Sequence, residues 1–304
     1  MVATMCTYFI FVSIIITMEN FFQSALDYLT KAGISTGLQL IILFGPLLIM
    51  AIIMHFIALA NERMSIYVFG EKIYLYVFAW LGTSIHELGH ALFAVIFGHK
   101  IKEIQLFKPD PQTGTMGYVN HSYDEKNMYQ QTGNFFIGIG PLLMCTIVLY
   151  GLSLLLFRIN IFDFSDLSIS PDTLGSFSLL KTELLKLPTV VSQFMHEIFS
   201  GENSAWWKIM ILIYCLYSIG SSMTLSPADI KTSGRGFLVI IIIVFIFNIS
   251  TLWAGDFATE GLTKISFLFS GFYTLMALAM AVNLIFAAIT GFFRLGIQIF
   301  KKKK

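Results

Sequence analysis

The sequence predicts an all-α polytopic membrane protein, with about six to seven transmembrane helices and a small β-hairpin near its candidate active site. Three observations carry this prediction. Hydrophobic residues make up 56% of the 304 residues and charged residues only 12%, against about 25% charge in a soluble domain. Apolar runs of the roughly 20 residues needed to cross a bilayer recur along the chain. Between two of these runs, residues 101–123 read as strand, turn and strand.

The candidate spans are residues 1–18, 38–60, 73–97, 134–157, 206–225, 237–254 and 265–293. The first has neither a basic leading region nor a small-residue cleavage site, so it reads as a membrane segment rather than a signal peptide. The spans suggest three parts. Residues 1–72 hold N-terminal membrane helices, 73–236 a catalytic core, and 237–304 C-terminal membrane helices with a basic tail.

Lysine and arginine set the orientation. Arg294 and Lys301–Lys304 place the C-terminus on the cytoplasmic side, as expected for a bacterial cytoplasmic membrane. Counting spans backwards puts Asp229, Lys231 and Arg235 inside, the loop 158–204 outside, and the hairpin with Lys100, Lys102 and Lys108 inside. The outer loop carries Leu180, Leu184, Leu187, Val191, Phe194 and Ile198 at helical spacing. This helix either lies on the outer membrane surface or packs against the bundle.

A net charge of +1 gives no basic surface for nucleic acid. Cys6, Cys145 and Cys215 lie far apart in apolar runs and read as buried thiols rather than ligands. Oligomeric state is not encoded in any pattern we find.

The chemistry sits in His86-Glu87-Leu88-Gly89-His90, near the middle of the span 73–97. Histidines four apart on a helix project from one face, so both rings can reach one tetrahedral zinc ion. Glu87, beside the first ligand, is placed to take a proton from metal-activated water as the catalytic base. Six histidines in the chain make a chance match conceivable. Ionisable groups at membrane depth, however, cost several kcal/mol without partners. A metal is the economical partner.

Zinc then needs a third ligand from the same side of the membrane. Asp229, in Ser226-Pro227-Ala228-Asp229 at the end of the span 206–225, meets that condition. Its alternative role is a helix cap or turn. His121 and Asp110 are reserve candidates, while His55, His99 and His196 read as structural or interfacial.

These residues together resemble the site-2 protease family of intramembrane zinc metalloproteases (M50-type). The resemblance covers about residues 73–236. It rests on His86–His90 within a span, on Gly138-Ile139-Gly140-Pro141 in the next span, and on Pro227-Ala228-Asp229 after a later one. It implies Zn2+ held by His86, His90 and Asp229, Glu87 as base, and a transmembrane protein substrate in the bilayer. The family pattern Asn-x-x-Pro-x-x-Pro-x-Asp-Gly is kept at Pro227 and Asp229. Here Ser221 replaces its asparagine, Thr224 its first proline and Ile230 its glycine. The lost asparagine bears on substrate handling more than on zinc. There is no room for the PDZ domain of many relatives.

The hairpin occupies the place where the family carries β-structure beside the active site. Its free edge could pair with an unwound substrate, or it could simply pack on helix ends. Two other classes remain. One is a non-proteolytic zinc-binding membrane scaffold. The other is a prenyl-protein protease with a glutamate ligand from Glu183, Glu197, Glu202 or Glu260, all on the expected outer side.

Overall fold

The computed structural model describes residues 2–110, 112, 114–161 and 170–302, and within these it leaves out the side chains of 2–13, 264–269 and 300–302. Parts of the hairpin turn (Pro111, Thr113), of the outer loop (162–169) and of the basic tail (Lys303, Lys304) therefore lie outside the described residues.

Long helices dominate, as expected. The first is α1 (Val2–Phe69), followed by α2 (Glu71–Ile73), a π-helical turn (Tyr74–Ala79) and α3 (Trp80–Ile96). Strands β1 (Lys100–Gln105) and β2 (Tyr118–Ser122) come next. Then follow α4 (Met128–Phe157), α5 (Pro171–Gly175), α6 (Phe177–Ser200), α7 (Trp206–Ser221), α8 (Pro227–Thr251) and α9 (Phe257–Lys302).

Among the described residues, four helices are long and apolar enough to cross a membrane: Ile14–Phe69, Met128–Phe157, Pro227–Ala254 and Ser270–Ile299. The expected six to seven spans are not reached by this measure. The spans expected at 1–18 and 38–60 lie in one continuous helix, because nothing between them breaks it. Its one proline, Pro46, is tolerated inside. The segments expected at 73–97 and 206–225 form shorter helices, α3 of 17 residues and α7 of 16.

The π turn frees backbone carbonyls just before α3, and α7 satisfies two of them. Tyr214 Oη donates to Val77 O at 2.7 Å and Ser218 Oγ to Phe78 O at 2.6 Å. Such pairing satisfies the polar groups that irregular backbone leaves inside a helical bundle. Elsewhere side-chain amides tie the long helices together. Gln39 and Asn248 form a reciprocal pair at 3.0 Å between α1 and α8. Asn61 Nδ2 reaches Asn283 Oδ1 at 3.0 Å between α1 and α9.

The helix expected in the outer loop is α6, and its C-terminal half packs on the bundle. Val190, Phe194 and Ile198 are buried in the core, whereas Phe177, Leu184 and Leu185 are exposed.

The packing of α3, α4 and α8 decides where the chemistry lies. A Cβ on Gly89 of α3 would stand 2.8 Å from the backbone of Pro141 on α4. One on Gly138 of α4 would collide with Ser233 Oγ and stand 2.9 Å from Asp229 O on α8. Small residues let helix backbones approach in this way within membranes.

This packing yields a first prediction. Gly89→Val should lower stability by about 1–3 kcal/mol through overpacking, read as a lower thermal midpoint in detergent. Gly151→Ala, where an added Cβ meets nothing within 4 Å, should be neutral or stabilising by about 0.5–1 kcal/mol. Equal losses at both positions would show that helix approach is not what sets stability.

Candidate metal centre

The first two candidate ligands come from one helix face. His86 and His90 are one turn apart on α3, with ring centroids 5.0 Å apart. Each ring is fixed from behind by a backbone carbonyl. His86 Nδ1 lies 2.7 Å from Ser222 O, just after α7, and His90 Nδ1 lies 2.8 Å from Ile137 O on α4. A carbonyl only accepts, so both Nδ1 atoms carry the proton and both Nε2 atoms turn a lone pair forward.

The third comes from the start of α8. Ser226 is its N-cap and Pro227 occupies the first turn. Ser226 Oγ accepts from Asp229 N at 3.1 Å, and Asp229 Oδ2 accepts from Ser226 N at 2.8 Å. This capping box leaves Asp229 Oδ1 facing His90 Nε2 at 3.3 Å, with Oδ2 3.9 Å from His86 Nε2. The cap and the ligand are alternatives in the sequence; here the carboxylate is part of the cap, and the same cap aims it at the two histidines.

His86, His90 and Asp229 thus offer ligand atoms that all lie within 4.8 Å of one another. Ligands about 2.0–2.2 Å from a tetrahedral zinc ion stand roughly 3.3–3.5 Å apart; the His90–Asp229 pair stands at 3.3 Å and the His86–Asp229 pair at 3.9 Å. Three lone-pair donors converge with their protons turned away. A proton on one ring would serve one pair, whereas a divalent cation serves all three. Two histidines and one carboxylate, with a fourth position open, suit catalytic zinc.

Glu87 is buried and faces the same space. Two cavities meet there, of about 380 and 360 Å³, and both are lined by His86, Glu87, Gly117 and Ser226. The backbone leading into β2 crosses directly over Glu87. A Cβ on Gly117 would stand 2.8 Å from Glu87 Cγ and equally close to two carbonyls of the opposite strand.

The hairpin is antiparallel, pairing Ile104 with Val119 and Ile101 with His121, with an irregularity between Ile101 and Glu103. It extends toward the turn through Lys108 N to Met116 O at 2.6 Å and Asp110 N to Thr115 O at 2.8 Å. Its position follows from how α3 ends. Gly98, at φ +70°, donates to Val95 O, and His99 N donates to Ala94 O at 2.8 Å. This Schellman ending turns the chain straight into β1. From the first turn of α4, Tyr129 Oη and Gln130 Nε2 bond Ile96 O and Gly98 O. Residues Gly117–His121 line one cavity consecutively. Because side chains alternate across a strand, an unbroken run of lining residues marks an edge rather than a face.

Among the reserve candidates, Asp110 caps the hairpin turn by accepting from Gln112 N, and His121 lines the cavity without joining the ligand cluster. Glu183 pairs with Lys186 at 2.7 Å, and none of the four glutamates considered for a prenyl-protein protease joins the cluster among the described residues. His55 lines the larger cavity together with Glu62. The carbonyls of Ser222 and Ile137 were invisible to motif reading, since a backbone acceptor has no sequence signature.

Among the described residues, the fold and site define a helical protein with four helices apolar and long enough to cross a membrane and a largely buried group of three side chains that could hold a metal ion. Residues 49–161 match the family model described as Peptidase M50B-like. That match is consistent with a site-2 protease family. The matched segment contains His86–His90, the hairpin and Gly138–Pro141, while Asp229 lies beyond it. No curated protein and no solved structure matches the chain.

The second prediction concerns the ligands. Asp229→Asn keeps an acceptor for Ser226 N but removes the charge. It should weaken zinc binding more than about tenfold, measured by metal analysis after dialysis against a graded chelator. Thermal stability of its metal-free form should match that of the metal-free wild type. Undiminished zinc in Asp229→Asn and Asp229→Ala would exclude Asp229 as a ligand.

Proposed function

We propose that this chain is an intramembrane zinc metalloprotease that hydrolyses peptide bonds of membrane-embedded protein substrates. The observation that supports it best is the convergence of His86 Nε2, His90 Nε2 and Asp229 Oδ1 beside Glu87, at the meeting point of two cavities. The Peptidase M50B-like match supports the reading at the level of a peptidase.

In this reading His86, His90 and Asp229 hold the zinc. When bound, zinc supplies Lewis acidity that activates water and polarises a carbonyl. The remaining chemistry belongs to the chain. Glu87 takes a proton from the attacking water on its carboxylate and passes it to the leaving amine nitrogen. The approach of β2 over Glu87 shields that carboxylate and restricts water beside it. The cavity-side edge of β2 offers backbone groups to an extended peptide, so a substrate helix unwinds to gain hydrogen bonds it would otherwise lose. Ser221, at the position of the family's asparagine, bonds its own helix at Tyr217 O and Ser218 O. Substrate holding therefore shifts toward the hairpin. The basic C-terminal end supports an orientation with that end in the cytoplasm.

The test is cleavage of a model transmembrane substrate by the purified full-length protein. Glu87→Gln should lower the rate by about 10²- to 10⁴-fold while retaining stoichiometric zinc. Equal cleavage by both proteins would remove the mechanism. Stoichiometric zinc with no hydrolysis of any substrate would favour a scaffold.

A further inference from the structure

A second histidine pair lies outside the metal cluster. His99, at the end of α3, and His121, on β2, bring their Nδ1 atoms to 2.9 Å. His99 Nε2 lies 2.8 Å from Gln130 O on α4. Tyr123 stacks on the same ring at 5.0 Å between centroids, with planes 21° apart. Three contacts therefore hold His99 in place.

These contacts fix every proton in the pair. Gln130 O can only accept, so the proton of neutral His99 sits on Nε2 and its Nδ1 is bare. The 2.9 Å contact is then a hydrogen bond only if His121 Nδ1 donates. His121 must carry its proton on Nδ1, which leaves Nε2 unprotonated. Burial, and then the neighbouring rings of His99 and His90, push His121 down to about 4, so it is neutral at physiological pH. Burial likewise lowers His99.

His121 lines the cavity that contains His86, Glu87, His90 and Asp229. Among the described residues no protein group bonds its Nε2. The other four groups also face the cavity as acceptors. A metal satisfies three of them and water the fourth. The acceptor on His121 is half-buried and open to the cavity, where water serves it until an extended peptide brings a backbone N–H in its place.

We infer that His121 is a substrate-binding residue, locked by His99 with its proton on Nδ1 so that Nε2 accepts a hydrogen bond from a backbone N–H of the bound peptide strand. The tautomer stands on its own, while the identity of the donor rests on the proteolytic reading. His99 is a positioning residue that acts only through His121.

Full-length protein labelled with [15N]histidine in lipid nanodiscs tests this, with the His121 signals assigned by their loss in His121→Gln. Solid-state NMR should show the Nδ1–H tautomer at His121. His99→Phe, which keeps a ring against Tyr123, should add the Nε2–H tautomer. A model transmembrane peptide added to the Glu87→Gln protein should move the His121 Nε2 resonance upfield. His121→Ala should lower kcat/KM by about 2- to 10-fold, carried by KM rather than kcat. His121→Gln, which keeps an acceptor nearby, should recover most of that loss.

An Nε2–H tautomer in the wild type, or no movement of the resonance with peptide, would overturn the inference. So would loss of zinc in His121→Ala, which would make His121 a ligand. If wild type cleaves nothing while the peptide still moves the His121 resonance, the proteolytic reading falls and the inference stands.

Discussion

The close approach of three helices, α3, α4 and α8, is the constraint on which the rest of the structure depends. At Gly89 and Gly138 the backbones come nearer than any side chain allows. Between helices in a bilayer there is little hydrophobic gain from contact, so small residues and polar pairs carry the association. The same approach places Ile137 O behind His90 and Asp229 in front of it. One packing event therefore builds both the ligand set and the support that fixes the ring.

The electrostatics follow from that geometry. Lone pairs gathered in a buried site are costly unless a donor or a cation joins them. The surrounding backbone fixes where each proton goes, through Ser222 O and Ile137 O on the rings and Ser226 N on the carboxylate. The capping box shows the economy of the arrangement, since the interaction that starts α8 also orients its ligand.

The hairpin extends the site along the cavity. Its root is locked to α3 by the Schellman turn and to α4 by Tyr129 and Gln130. Gly117 lets it lie over Glu87. The histidine pair ties its far strand back to the end of α3. These contacts join the hairpin, Glu87 and the histidines, while amide contacts among α1, α8 and α9 lie remote from them.

Much of this was legible in the chain itself. His86 and His90 sit four apart on a helix because helical periodicity requires that they share a face. The turn chemistry around Asp110 and Gly114 gave the hairpin, and the order of motifs pointed to Asp229. Helix count was less legible, since hydropathy marks apolar stretches but not whether the polar residues between them break the helix. Hence two expected spans are parts of α1. The choice between surface and bundle for α6 also waited on packing. Local periodicity and residue chemistry determined which groups were available for a metal. Only the tertiary structure decided that Asp229 caps and faces the histidines together, that two carbonyls set their protons, and that His99 sets the proton of His121. Those outcomes depend on distances between segments far apart in sequence, which no local pattern records.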